Sequence, residues 1–211
     1  MASVVQICNM ALSHIGSDAR VSSVSPPDGS VEAGHCATFY DQARTEMLEI
    51  GSWAFSLARA SLAEVANPSS VWVYAYAKPS DCLRALRIPR ASPPVTVFTQ
   101  DLIPYPHTDD RDGAQYDVEG EVILTNEPAA TLLYVRDVTD STKFTPSFTN
   151  ALSLLLAGYL AGPIIKGTES IRVGDALRER ARAMADASAT ASANASSAES
   201  AVRPSLLQVR A

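Results

Sequence analysis

The 211 residues suit one large domain, or one domain with an insertion, and supply enough chain to bury a core without metal or disulfide staples. Seventeen Lys plus Arg against 23 Asp plus Glu give a net charge of −6, which argues against the basic face of a nonspecific nucleic-acid binder; 46 % hydrophobic and 19 % charged residues rule out a wholly disordered chain. The cysteines Cys8, Cys36 and Cys82 are far apart and odd in number, with no C-x-x-C pair, so neither a zinc knuckle nor a disulfide framework is expected and synthesis in a reducing compartment is.

At the N-terminus no Lys or Arg precedes an apolar run, so a signal peptide is not expected. Ser3 and Gln6 have the spacing of a capping box, and Val4, Ile7, Cys8, Ala11, Leu12 and Ile15 recur with helical period up to Gly16. A loop follows, since Pro26, Pro27, Asp28 and Gly29 cannot continue a helix. Ser30 can cap a second amphipathic helix over residues 31–50, with Cys36, Tyr40, Ala43, Met47 and Ile50 on one face and Gly51 as its stop. Trp53, Phe55 and Leu57 then alternate with small residues, as in an extended segment.

From residue 67 to 140 the chain is punctuated by prolines, and its short apolar runs favour strands. One strand is expected over 71–77, with Trp72, Tyr74 and Tyr76 on one side. Three more, over 116–118, 122–124 and 131–135, read as a meander with a tight turn at Glu119 and Gly120. Thr145 followed by Pro146 restarts helix, because a proline at the first helical position lacks an N–H that would be unpaired there anyway. The apolar run 151–165 falls short of the about 20 residues that span a membrane, so it is expected to be a buried core helix ending at Lys166 and Gly167. A fourth helix begins near Thr168, where Arg172 with Asp175 and Glu179 with Arg182 are placed to pair. Its continuation is nearly all Ala, Ser, Thr and Asn; as helix it would carry the stripe Leu177, Ala181, Met184, Ala187. Pro204 ends it and leaves an extended tail over 203–211.

Few constellations suggest chemistry. Neighbours on a helix point about 100° apart, so His35 and Cys36 cannot act as base and nucleophile. His14 and Cys8 on the first helix, and His107 in a Pro-rich loop, have no ligand spacing. Asp109, Asp110 and Asp112 before Gly113 echo half a calcium loop but lack its alternation and terminal Glu. The run 162–168, G-P-I-I-K-G-T, misorders a phosphate loop and lies at a helix C-terminus, which presents carbonyls to an anion. No catalytic, cofactor-binding or metal-binding residue is therefore expected.

The ordering of short motifs along the chain is more specific. N-M-A-L-S-H-I-G at 9–16, V-S-S-V-S-P-P-D-G-S-V-E-A at 21–33, F-Y-D-Q-A-R at 39–44 and W-A-F at 53–55 resemble the tail tubular protein A family of short-tailed bacteriophages. Y-A-K-P-S-D-C-L-R-A-L-R-I at 76–88, V-I-L-T-N at 122–126, L-L-Y-V-R-D-V-T-D at 132–140 and the helix over 151–161 are similar to the same family. The resemblance implies a head-to-tail adaptor of the virion, about a dozen copies in a ring beneath the portal protein, meeting the tail nozzle and other tail proteins. DNA would pass through its channel without specific binding, and the protein would be made in the bacterial host cytoplasm. The resemblance also implies a C-terminal segment that reaches onto a neighbouring ring, so Arg203, Leu206, Leu207, Val209 and Arg210 become candidate contacts to the portal.

The expected fold is α+β and mainly α: a four-helix bundle built from residues 1–66 and 141–202, a β-rich insertion over 67–140, and the tail 203–211. Two other functions compete. One is a virion-associated cell-wall-degrading enzyme using His35, His107 and the Asp109 to Asp112 cluster; the other is a monomeric scaffold or chaperone that holds a partner with its Ala-rich arm.

Overall fold

The computed structural model describes residues 2–90 and 113–201, the last eleven of these by backbone alone. Among the described residues it is an α+β protein with four helices and two small antiparallel sheets. The chain divides into two units, Met1–Ser56 with Asp137–Ala211 and Leu57–Arg136.

In the first unit the helix ends follow the capping chemistry. Helix α1 (Val4–His14) starts where Ser3 Oγ accepts from Gln6 N at 3.2 Å, and the chain turns out through Gly16 at φ +74°. Helix α2 (Val31–Ile50) starts where Ser30 Oγ accepts from Ala33 N at 3.2 Å. Helix α3 (Pro146–Ile165) is capped by Thr145 with Pro146 in its first turn, and ends at Lys166 and Gly167, both at positive φ. Helix α4 (Thr168–Ala201) turns back along it.

Helix α3 is the hub, packing on α1, α2 and α4. At 20 residues it is longer than the apolar run suggested, and by length and composition it is long enough to cross a membrane. Phe148, Leu152, Leu155, Leu156 and Leu160 are nevertheless fully buried, so its apolarity is accounted for by the core. Beneath its N-terminus Trp53, Phe55 and Phe144 ring Phe148 at centroid distances of 5.1, 5.0 and 4.6 Å, and Trp53 Nε1 donates to Met47 O at 2.8 Å.

Two expectations for the helical unit need correction. The extended stretch expected at Trp53 to Leu57 contains a 3₁₀ turn over Ala54–Ser56. On α4 the buried stripe runs Ser170, Gly174, Ala181, Ala185, and Ala187 is exposed: a strict 3.6-residue period carries the stripe one position past the predicted one.

The second unit holds strands β1 (Leu57–Ser61), β2 (Tyr74–Ala77), β3 (Cys82–Arg87), β4 (Tyr116–Glu119), β5 (Val122–Thr125) and β6 (Thr131–Arg136). The β4–β5 hairpin turns at Gly120, φ +60°, as its sequence predicts. The meander stops there. Strand β6 joins β1 and β3 in one sheet, while β5 lies between β2 and β4 in the other. Two isolated bridges, Glu64 to Tyr76 and Ile88 to Ala114, join the segment after β1 to β2 and the residue after β3 to the residues before β4. Tyr76, Ile88, Ile123, Leu132 and Tyr134, drawn from both sheets, fill the interior. The boundary expected at residue 67 therefore moves to 57, because β1 pairs along its whole length with β6.

Candidate functional site

Within the helical unit the quoted motifs meet in space. Asn9 of α1 brackets the backbone of Val21, accepting from its N–H at 2.9 Å and donating to its carbonyl at 3.0 Å. Asp28 then gathers the loop over 22–30: its carboxylate accepts from Ser22 N at 2.7 Å, Ser30 N at 3.0 Å and the hydroxyls of both serines. These bonds hold the Asp28 carboxyl well below the ordinary carboxylate range, the Ser30 hydroxyl contributing most. Ser23 Oγ donates to Pro26 O at 2.6 Å and closes the turn. The loop is thus ordered by its own polar groups and presents Ser23, Val24 and Ser25 on one side.

That side is one wall of a cleft of about 610 Å³. The start of α1 supplies Ser3, Val4 and Val5, α2 supplies Ala37, Tyr40 and Asp41, and the segment entering α3 supplies Thr139 and Ser141. Its lining sets valines between hydroxyl groups and carries one carboxylate. Tyr40 is only 7 % exposed, yet its hydroxyl has no partner among the described residues. Burial pushes that phenol up to about 12, so it stays protonated. The Asp41 side chain is 82 % exposed, 3.5 Å from Arg44 Nε. Arg44 itself is buried; it donates to the Asp137 carboxylate and, at 3.1 Å, to Val138 O, which ties α2 to the chain entering α3. Asp41 also borders a second groove along α2, about 420 Å³, lined by Gln42, Thr45, Glu46 and Glu49.

The residues weighed for catalysis do not converge. Cys36 and Cys8 are fully buried against each other, and the Cys8 thiol, hydrogen-bonded to Cys36 and desolvated, is driven far above its ordinary range. His35, next along α2, is only partly buried, consistent with the divergence of helical neighbours. His14 Nε2 lies 3.1 Å from Ser153 Oγ, but Ser153 already donates its proton to Asn150 O at 2.8 Å. The serine hydroxyl is therefore the acceptor in that pair, the reverse of a nucleophile handing its proton to a base. Among the described residues no three His, Cys, Asp or Glu side chains form a metal site. His107, Asp109, Asp110 and Asp112, and the candidate portal contacts Arg203, Leu206, Leu207, Val209 and Arg210, lie outside the described residues.

The expected pairings on α4 change partners. Arg172 bonds Glu169 at 2.7 Å, Asp175 bonds Arg178 at 3.2 Å, and Arg182 reaches Glu46 of α2 at 3.3 Å. Glu46 also accepts from the Tyr159 hydroxyl, and the Tyr159 ring carries Arg178 over one face at 5.0 Å and lies stacked with Phe39, centroids 5.7 Å apart. Nothing in the sequence announces the cleft: it combines residues of the motifs at 21–33, 39–44 and 132–140 with Ser3, Val4, Val5, Ala37 and Ser141, which lie outside them.

No family model matches the chain, and a comparison with curated proteins finds no match.

Proposed function

We propose that the protein is a structural head-to-tail adaptor of a short-tailed phage, tiling into a ring between the portal and the tail nozzle and carrying out no bond chemistry. The observation that supports this reading best is the order of its motifs, which resemble the tail tubular protein A family over nearly the whole chain; three of these motifs supply contacts within the helical unit. The 21–33 motif supplies the Asp28-ordered loop, the 39–44 motif supplies Arg44, and the 132–140 motif supplies its partner Asp137. In this reading the four helices act as one bundle interrupted in sequence by the strand unit. A net charge of −6 per copy, repeated around a ring, would let DNA slide where a basic lining would hold it.

Native mass spectrometry of the purified chain, alone and mixed with rings of the portal protein of the same phage, tests the reading. It expects a ring of many copies on the portal. A chain that ignores portal rings, or that digests purified peptidoglycan in a His35-dependent way, overturns it.

A further inference from the structure

We infer that Cys8 of α1 and Cys36 of α2 are a latent redox pair, which a peroxide closes, where thiol reductants are absent, into a reversible disulfide that staples the two helices together. The inference concerns the chemistry of this chain alone and stands apart from the ring reading.

Placement comes first. Both side chains are fully buried and both carry free thiols. Cys8 lies with Ile7, Ala11 and Leu12 on the buried face of α1, and Cys36 with Ala33 and Tyr40 on that of α2. The two side chains are in hydrogen-bond contact. A disulfide needs sulfurs about 2.05 Å apart on β-carbons about 3.5–4.5 Å apart, so side chains that already touch can close the bond largely by turning about their own torsions. Ala11 and Ala33, one turn from the cysteines on the same buried faces, are too small to hold the helices apart. The third thiol, Cys82, belongs to β3 in the strand unit.

The pair is chemically unequal. The Cys8 thiol donates to the Cys36 sulfur, and that hydrogen bond is the largest influence holding Cys36 below the ordinary thiol range while Cys8 is driven above it. Cys36 is therefore the nucleophile. Its thiolate attacks one oxygen of the peroxide; the O–O bond breaks, hydroxide leaves and takes up the proton that Cys36 gave to solvent, and Cys36 becomes a sulfenic acid. The Cys8 sulfur then attacks the Cys36 sulfur, the S–O bond breaks, and the hydroxyl leaves as water with the Cys8 proton. Two thiols are oxidised to one disulfide, and one hydrogen peroxide is reduced to two waters. Val4 and Tyr40, which line the cleft, stand one turn from Cys8 and Cys36, so a local opening at that end admits so small an oxidant. The bond closes residues 8 to 36 into a loop around the turn ordered by Asp28, which restricts the unfolded chain and stabilises the fold.

The test treats the full chain with equimolar hydrogen peroxide in native buffer, alkylates the remaining thiols and maps tryptic peptides. Cleavage after Arg20 and Arg44 puts Cys8 and Cys36 on separate peptides, since no other Lys or Arg lies within 1–44. The expected product is those two peptides joined, with Cys82 alkylated, and all three cysteines alkylated again after dithiothreitol. The linked chain is expected to melt at least about 4 °C above the reduced one. Cys8→Ala and Cys36→Ala should each abolish that rise and Cys82→Ala should keep it, circular dichroism checking that the helices are intact. In urea, where the contact is lost, the yield of the 8–36 link is expected to fall at least about fivefold. Three free thiols after native oxidation, a link that includes Cys82, a yield no lower in urea, or a linked chain that melts no higher than the reduced one overturns the inference.

Discussion

Gly158 of α3 and Gly174 of α4 face each other so closely that a β-carbon on either would stand 3.0 Å from the carbonyl oxygen of the other. The two helices therefore cross at a contact between backbones, and the small residues there are a packing requirement. A methyl at Gly158 would also sit 2.7 Å from Arg178 Cγ.

Gly158→Ala is expected to cost up to about 2 kcal/mol, because overpacking at about 1–3 kcal/mol outweighs the helix propensity gained, about 1 kcal/mol. Gly162→Ala is the control. It lies in the same helix with nothing within 4 Å of its β-carbon, so the same change should stabilise by up to about 1 kcal/mol. Urea denaturation of the two variants should shift in opposite directions, and a shift of the same sign would refute the crossing.

A second close approach holds the end of α2. A β-carbon at Gly51 would fall 2.1 Å from Trp53 Nε1, which donates to Met47 O. Gly51→Ala must displace the indole, breaking that bond and loosening the ring cluster on Phe148. A loss of about 3 kcal/mol is expected, together with a changed Trp53 emission spectrum; Trp72→Phe isolates that signal. Unchanged emission with unchanged stability would contradict the packing.

Arg44 is buried with its charge answered by Asp137. Arg44→Ala leaves that carboxylate and Val138 O without their donor and should cost about 3 kcal/mol, whereas Arg44→Met, which keeps the apolar stem, should cost less. Equal losses in the two variants by thermal denaturation would show that the apolar stem adds nothing beyond the guanidinium, and no loss in either would contradict the buried ion pair.

The acidic caps give a pH dependence of definite sign. Asp28 and Asp140 are held below the ordinary carboxylate value, Asp140 chiefly by the Thr142 hydroxyl. Their contribution is complete above about pH 4 and is lost as pH falls through the depressed values. His14, lowered first by burial and then by Arg180, adds a loss that begins as pH drops below about 6.5, since the folded state resists its protonation. Carboxyl chemical shifts should place the Asp28 midpoint below that of an exposed aspartate, and Asp28→Ala should free the Ser22 and Ser30 amides to exchange. An ordinary midpoint would contradict the network.

Helix boundaries were legible because Ser3, Ser30, Thr145, Pro146 and Gly167 carry local chemistry that acts within a turn. Strands β1 and β3 were not. L-A-R-A-S and C-L-R-A-L-R lack β-branched residues and become strands by pairing with β6, more than 40 residues away in sequence. The meander failed for the same reason: distant partners outbid the adjacent one. On α4, Arg182 could be read only against its helical neighbours, while its partner Glu46 lies on α2. The cleft draws on residues 3–5, 23–25, 37–41 and 139–141, and no periodicity in a single element announces such a meeting.

Copies of this chain are proposed to close into a ring at the capsid vertex. A single-particle reconstruction of that vertex in particles of the phage tests it directly. The expected result is a ring of this chain, its helices recognisable in density, between portal and nozzle around an open channel; a junction built without it would contradict the account.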